Sequence, residues 1–208
     1  MTKQPKVSDE ERERQTNQLY SMVGRIVVRG EQLAGALREA CMFLLLRKGL
    51  DQQIAWTLFA GQNVEALRRF YTALYLQHFR EDAKSAKIVG KLSDEIGGAN
   101  ERRNNLVHTE WFIGWGNEET ESYADAAGRK FRHDLKGNGG YEIKPGKISQ
   151  YADLEHTLQR LSALVRITHS AVTGEIIDRE RPLWRGISLG KDGRLFSPHN
   201  PNTQPRQK

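Results

Sequence analysis

Apolar positions recur every three or four residues along most of this chain, the period of α-helices with one buried stripe. The longest such run is Leu19, Met22, Val23, Ile26, Val27, Leu33, Leu37, Ala40, Phe43 and Leu44. It predicts a single helix that opens at Ser8-Asp9-Glu10-Glu11, a sequence of capping-box form, and continues to about Lys48. Gly24, Gly30 and Gly35 within it predict close approach of a neighbouring helix or a local bend. Gly49 supplies a stop, and Asp51 a cap for the next helix. Ile54, Leu58 and Phe59 then precede a break at Gly61-Gln62-Asn63, after which Asn63 caps a segment with Val64, Leu67, Phe70, Tyr71, Leu74 and Tyr75 on one side. A third helical region, from Asp82 or Ser85, carries Ile88, Leu92, Ile96, Ala99, Arg103 and Leu106. The last helix runs from near Ser149 to about Thr173, with Leu154, Leu158, Leu161, Val165 and Thr168 at helical spacing and Gly174 as its stop.

Between the third and last helices the period is lost. Trp111-Phe112-Ile113-Gly114-Trp115 is aromatic and too glycine-marked for a helix. Lys130 to Leu135 and Tyr141 to Lys144, around Lys136-Gly137-Asn138-Gly139-Gly140, read as a hairpin. The expected architecture is therefore all-α: a four- to five-helix bundle over residues 1–177, with a β-rich insertion at 111–147 before the last helix. Residues 178–208 form a basic tail containing proline and glycine, in which Pro182-Leu183-Trp184 and Leu195-Phe196 are able to pin it to the bundle. Residues 1–7 and the end from Pro198 read as disordered.

One position breaks the hydrophobic pattern. On the third helix the apolar stripe advances by four, four, three, four and three residues, and its fifth member is Arg103. A guanidinium keeps its charge, so a core-facing position is costly unless the group is paired or lines a polar cavity. His108 lies four residues beyond Asn104 on the same face and about 140° around from Arg103, an angle that the long arginine arm can cover. A group that titrates near neutrality beside a fixed planar cation suits metal-free transesterification at a phosphodiester. The histidine activates a ribose 2′-hydroxyl or protonates the leaving oxygen, and the arginine offsets charge growing on the phosphate. Asparagine is able to orient either. The structural alternative is that Arg103 belongs to a buried ion pair fixing helix register, while His108 interacts with the helix dipole.

Arg103-Asn104-x-x-x-His108, closing the third helix of an all-α chain, resembles the motif of the HEPN superfamily: arginine, a polar residue after it, and histidine four to six residues on. Arg102 also fits, with five residues between, but is followed by another arginine. The likeness spans the helical frame, residues 15–175, by pattern, and six residues by motif. It implies a helical bundle that dimerises and joins two motifs into one ribonuclease site, cutting RNA without metal to leave a 2′,3′-cyclic phosphate. Members with this activity resemble toxins or antiphage effectors, some held by a neutralising partner protein; others have lost activity and serve as RNA- or protein-binding scaffolds. Both outcomes stay open for this chain, with the ribonuclease ahead. Arg103, Asn104 and His108 are its candidate catalytic residues. Around them Arg102, Trp111, Trp115, Lys130 and Arg132 are candidate RNA contacts, the tryptophans stacking bases and the cations meeting phosphates. The favoured role for the tryptophans is nevertheless to cover the end of the bundle, with the lysines solvated.

Composition narrows the field. A chain of 208 residues suits one domain with appendages. The net charge of +6 permits anionic partners such as RNA without requiring them. A single cysteine, Cys41, excludes an internal disulfide and reads as a buried thiol. The apolar run Met42 to Leu46 is too short to span a membrane, and the polar N-terminus lacks an apolar signal segment, so a soluble, cytoplasmic protein is expected. His78, His133, His156, His169 and His199 have no spacing that gathers a metal site. No glycine-rich phosphate loop or serine or cysteine nucleophile stands in a recognisable context, and no cofactor is expected.

Overall fold

A computed structural model of the chain describes residues 8–112, 127–133, 139–144, 148–173 and 186–204, and it is mostly helical. The described helices are α1 (Asp9–Arg47), α2 (Gln52–Phe59), α3 (Val64–His78), α4 (Ala83–Val107) and α5 (Leu154–Thr173). Residues 1–7, the hairpin turn at Lys136 to Asn138, Gly174 and Pro182-Leu183-Trp184 lie outside the described residues.

Capping chemistry sets the helix ends. Ser8 Oγ accepts the Glu11 N–H at 3.2 Å, one half of a capping box, while the Glu11 carboxylate turns to Arg14 and Gln15. Gly49, at φ 89°, closes α1 in a left-handed conformation that costs glycine nothing. Asp51 Oδ1 accepts from the N–H groups of Gln53 and Ile54 at 2.8 and 3.1 Å, and Asn63 Oδ1 accepts from Ala66 at 2.9 Å. The break between α2 and α3 turns on Gly61, at φ 69°.

Four expectations need correction. The inward position expected of Ile88 belongs to Val89, because the buried stripe of α4 starts at Ser85, whose hydroxyl bonds Asp82 Oδ2 at 2.6 Å. A satisfied buried hydroxyl is invisible to a count of apolar residues. The last helix begins at Leu154, since Ile148–Tyr151 forms a 3-10 turn instead. The tail does not lose order at Pro198: Pro201–Thr203 is another 3-10 turn, and Thr203 Oγ1 is buried among backbone groups of Ser197 and Asn200. Nor is a neighbouring helix crowded against Gly24 or Gly35. A methyl group at Gly24, Gly35 or Gly98 would meet nothing within 4 Å, and one at Gly97 would touch only the Arg68 side chain at 3.6 Å. Gly98→Ala is therefore expected to raise stability by about 0.5–1 kcal/mol, read as a higher urea midpoint.

The expected hairpin gains a third strand. β1 (Glu110–Phe112), β2 (Ala127–His133) and β3 (Gly139–Lys144) form an antiparallel sheet in that order. Its register sets Trp111 opposite Gly128 and Lys130 opposite Glu142. A second pair, β4 (Ser188–Leu189) and β5 (Leu195–Phe196), turns at Gly193.

The chain divides into two compact units, the first made of residues 1–27 and 102–155 and the second of residues 28–101 and 156–208. The second unit is a helical bundle. Leu33, Leu37, Cys41, Phe59, Leu67, Tyr71, Tyr75, Leu92, Ile96, Leu158 and Leu161 are buried in it, and the rings of Tyr71 and Tyr75 stack at 4.4 Å. Burial pushes the Cys41 thiol up to about 12, so little thiolate exists at neutral pH. Iodoacetamide at pH 8 is expected to leave the folded protein unlabelled over a time that fully labels it in 6 M guanidinium, as intact mass will report.

Leu195 is held to this bundle by a buried carboxylate and guanidinium. Arg160 Nη2 meets Glu95 Oε2 at 2.6 Å, Arg160 Nη1 donates to the Leu195 carbonyl, and the Leu195 N–H donates to Glu95 Oε1 at 3.0 Å. The expectation that Leu195-Phe196 pins the tail thus has a polar mechanism as well as an apolar one. No described helix is long and apolar enough to cross a membrane.

Candidate functional site

The motif residues lie in the first unit, at the end of α4. Leu106 is fully buried there and anchors the last turn. Arg103, three residues earlier and so on nearly the same face, is half-buried, with its Nε atom withdrawn from solvent. Its Nη1 donates to Asn104 Oδ1 at 3.0 Å, which fixes the plane of the guanidinium. His108 is the first residue beyond the helix. Its N–H closes the final helical bond to the Asn104 carbonyl at 3.0 Å, and its side chain is exposed. Among the described residues, no hydrogen bond joins the imidazole to Arg103 or Asn104. The motif thus pairs its arginine with its asparagine and leaves the histidine open to solvent one turn further on.

The neighbours are used differently from one another. Arg102 makes a fork on Asp153, at 2.6 Å from Nη2 and 3.3 Å from Nη1, and Nη2 also donates to the Gln150 carbonyl at 2.7 Å. These bonds hold the turn before α5 in its non-helical path, and they commit Arg102 to the fold before any phosphate arrives. Trp111 folds back over the end of α4. Its indole N–H donates to the Leu106 carbonyl at 2.8 Å, satisfying an acceptor that the helix end leaves open. Its ring meets Tyr151 edge to face at 5.9 Å, and burial raises the Tyr151 phenol above its ordinary value. Trp111 therefore covers the helix end, the role favoured from its aromatic character. Thr109 caps in the same way, through the Asn105 carbonyl. Trp115 lies outside the described residues, and Lys130 and Arg132 are placed by backbone alone, two residues apart on β2.

Asp153 and Tyr151, which hold Arg102 and Trp111, were not singled out from sequence. Asp153 had a usable signal, an acidic residue immediately before the apolar stripe that opens at Leu154. Among the described residues, no cluster of three or more histidine, cysteine or acidic side chains is arranged to hold a metal ion. Comparison with protein-family models, curated proteins and solved structures found no match to this chain.

Proposed function

We propose that this chain is a metal-independent endoribonuclease of the HEPN type, working as a homodimer. One observation carries the reading: a half-buried guanidinium held in plane by the adjacent asparagine, with an exposed imidazole on the next turn of the same helix end. In this reading the ribose 2′-oxygen attacks the neighbouring phosphorus and the bond to the 5′-oxygen breaks. One imidazole takes the 2′-hydroxyl proton, and a second, protonated, gives one to the leaving oxygen. One chain supplies a single motif histidine, so His108 and His108 of the partner subunit would divide the two tasks. Arg103 stabilises the added charge on phosphorus and Asn104 orients it. A toxin-like or antiphage role in the cytoplasm, with a neutralising partner protein, belongs to the same proposal.

The test is to incubate the purified chain with mixed RNA in excess EDTA. Fragments ending in 2′,3′-cyclic phosphate and 5′-hydroxyl are expected, at a rate that EDTA leaves unchanged. RNA that stays intact across protein concentrations spanning dimer formation would sink the proposal.

A second reading, a non-catalytic HEPN-like module that holds a protein partner, has its own support. Ile54, Trp56 and Leu58, three of the eight residues of α2, are large apolar side chains left exposed. Intact RNA together with loss of partner capture on Trp56→Ser would select it.

A further inference from the structure

In the second unit, a groove of about 440 Å³ is lined by α5, by Gln32 of α1, by Asn202 of the final 3-10 turn and by its cap Asn200. Ser162, Arg166 and Ser170 descend α5 at steps of four, so all three face the groove on one side of the helix, beside the stripe through Leu161 and Val165. Ser162 and Ser170 are each only 8% exposed, yet their hydroxyls bond no described residue. Both side chains line the same cavity, so a guest there is able to take the place of water on them.

The polarity of the lining is lopsided. Among the described residues no carboxylate lines it, and Arg166 is the one formal charge. The Gln32 amide oxygen is already taken by Arg29 Nη1 at 2.9 Å, and the Asn200 amide oxygen by the Asn202 N–H at 3.0 Å. Both of those partners can only donate, so each amide is fixed with its oxygen turned to the protein. Each still has its NH₂ group to donate, and its oxygen a second lone pair. The groove therefore presents one fork-shaped cation, two rotatable hydroxyls and the amides of Gln32, Gln159, Asn200 and Asn202 to any guest, with no carboxylate among the described residues to oppose the charge. Its complement is a small anion with several terminal oxygens, and its volume lies in the range of small-molecule sites.

We propose that this groove binds a phosphate monoester, with Arg166 gripping the phosphate and Ser162, Ser170, Gln32 and Asn200 donating to its terminal oxygens and to hydroxyls beside it. The proposal is independent of the motif at the end of α4 and stands whether or not the chain cleaves RNA.

The full chain is titrated at constant ionic strength with inorganic phosphate, glycerol 3-phosphate and ribose 5-phosphate, and with glycerol and ribose as unphosphorylated controls. Binding is read by calorimetry and by backbone amide shifts. The phosphate compounds are expected to bind, the controls not, with shifts confined to residues of the groove. Arg166 is exposed, so Arg166→Gln leaves the fold intact and is expected to weaken binding roughly 10- to 100-fold, the worth of a lost charge-assisted bond. Ser162→Ala is expected to weaken it by a few-fold to roughly tenfold. Absence of binding by every phosphate compound at tens of millimolar overturns the proposal, as does binding that Arg166→Gln leaves unchanged. So does an RNA oligonucleotide without terminal phosphate that binds the groove as tightly as the monoesters.

Discussion

His108→Ala is expected to lower the rate of RNA cleavage by roughly 10²–10⁴-fold, the range for removing a positioned general acid or base. The substitution cannot act through the fold. The side chain is exposed and lies beyond the last helical residue, so its loss should shift stability by less than about 0.5 kcal/mol. Arg103→Ala is expected to be as damaging to the rate but less clean, since the guanidinium is half-buried and bonded to Asn104. Arg103→Lys separates charge from geometry: it keeps a cation but loses the planar fork that meets both the Asn104 oxygen and a phosphate. Its activity should therefore fall well below wild type while its unfolding midpoint changes little. Asn104→Ala should be milder than either, because it releases the guanidinium without deleting it. Mixing wild-type and His108→Ala chains tests the shared site: a heterodimer keeps only one of the two imidazoles, so the rate should fall with the square of the wild-type fraction rather than in proportion to it. Cleavage that survives in both single variants would falsify the assignment of these residues. Arrest of a bacterial host by the wild type and not by His108→Ala is the expected cellular counterpart.

Much of the helical frame was legible because it derives from local chemistry. Ser8, Asp51, Asn63 and Asp82 each accept an N–H within three residues, and Gly49 and Gly61 adopt the positive φ that a stop or a sharp turn needs. Such signals are contained in a window of a few residues. Two of the misses came from bonds that reach beyond that window. Arg102 holds a carboxylate 51 residues on, which keeps the chain before Leu154 out of the helix. The turn at Pro201–Thr203 is held by Thr203 and Ser197, six residues apart, in a stretch whose proline and asparagine content reads as disorder. At the candidate site, sequence spacing gave the correct helix end and the half-buried arginine. It did not reveal that Arg102 and Trp111 were already engaged, because local spacing shows neither the reach of Arg102 to Asp153 nor that of Trp111 to a backbone carbonyl. The groove on α5 was legible in principle: serine, arginine and serine at steps of four beside an apolar stripe is an unusual face for a buried helix. What no spacing shows is that Gln32 of α1 and Asn200 and Asn202 of the final turn line the same groove.

Arg160→Ala is expected to destabilise the protein by about 3–5 kcal/mol, because it leaves the Glu95 carboxylate mostly buried without its charge partner. The side chains of Arg160 and Glu95 are only 5% and 12% exposed, so solvent screening offers little relief. For a chain of this length the loss corresponds to a fall in Tm of roughly 6–20 °C. Glu95→Gln should cost less than Arg160→Ala, since a glutamine oxygen still accepts the Leu195 N–H and the guanidinium keeps its bond to the Leu195 carbonyl. The double replacement Glu95→Leu with Arg160→Met is the informative one. It removes both charges together and substitutes apolar volume, so it should recover most of the stability that Arg160→Ala loses. It will not restore the bonds to the Leu195 backbone, however. Limited proteolysis should therefore cut between Ile187 and Ser197 faster in the double variant than in the wild type, even where their urea midpoints agree. That separation distinguishes the two tasks of the pair: neutralising its own charges inside the bundle, and holding the strand that carries Leu195. If Arg160→Ala instead costs less than about 1 kcal/mol, the pair behaves as a surface ion pair, and its burial has no energetic consequence.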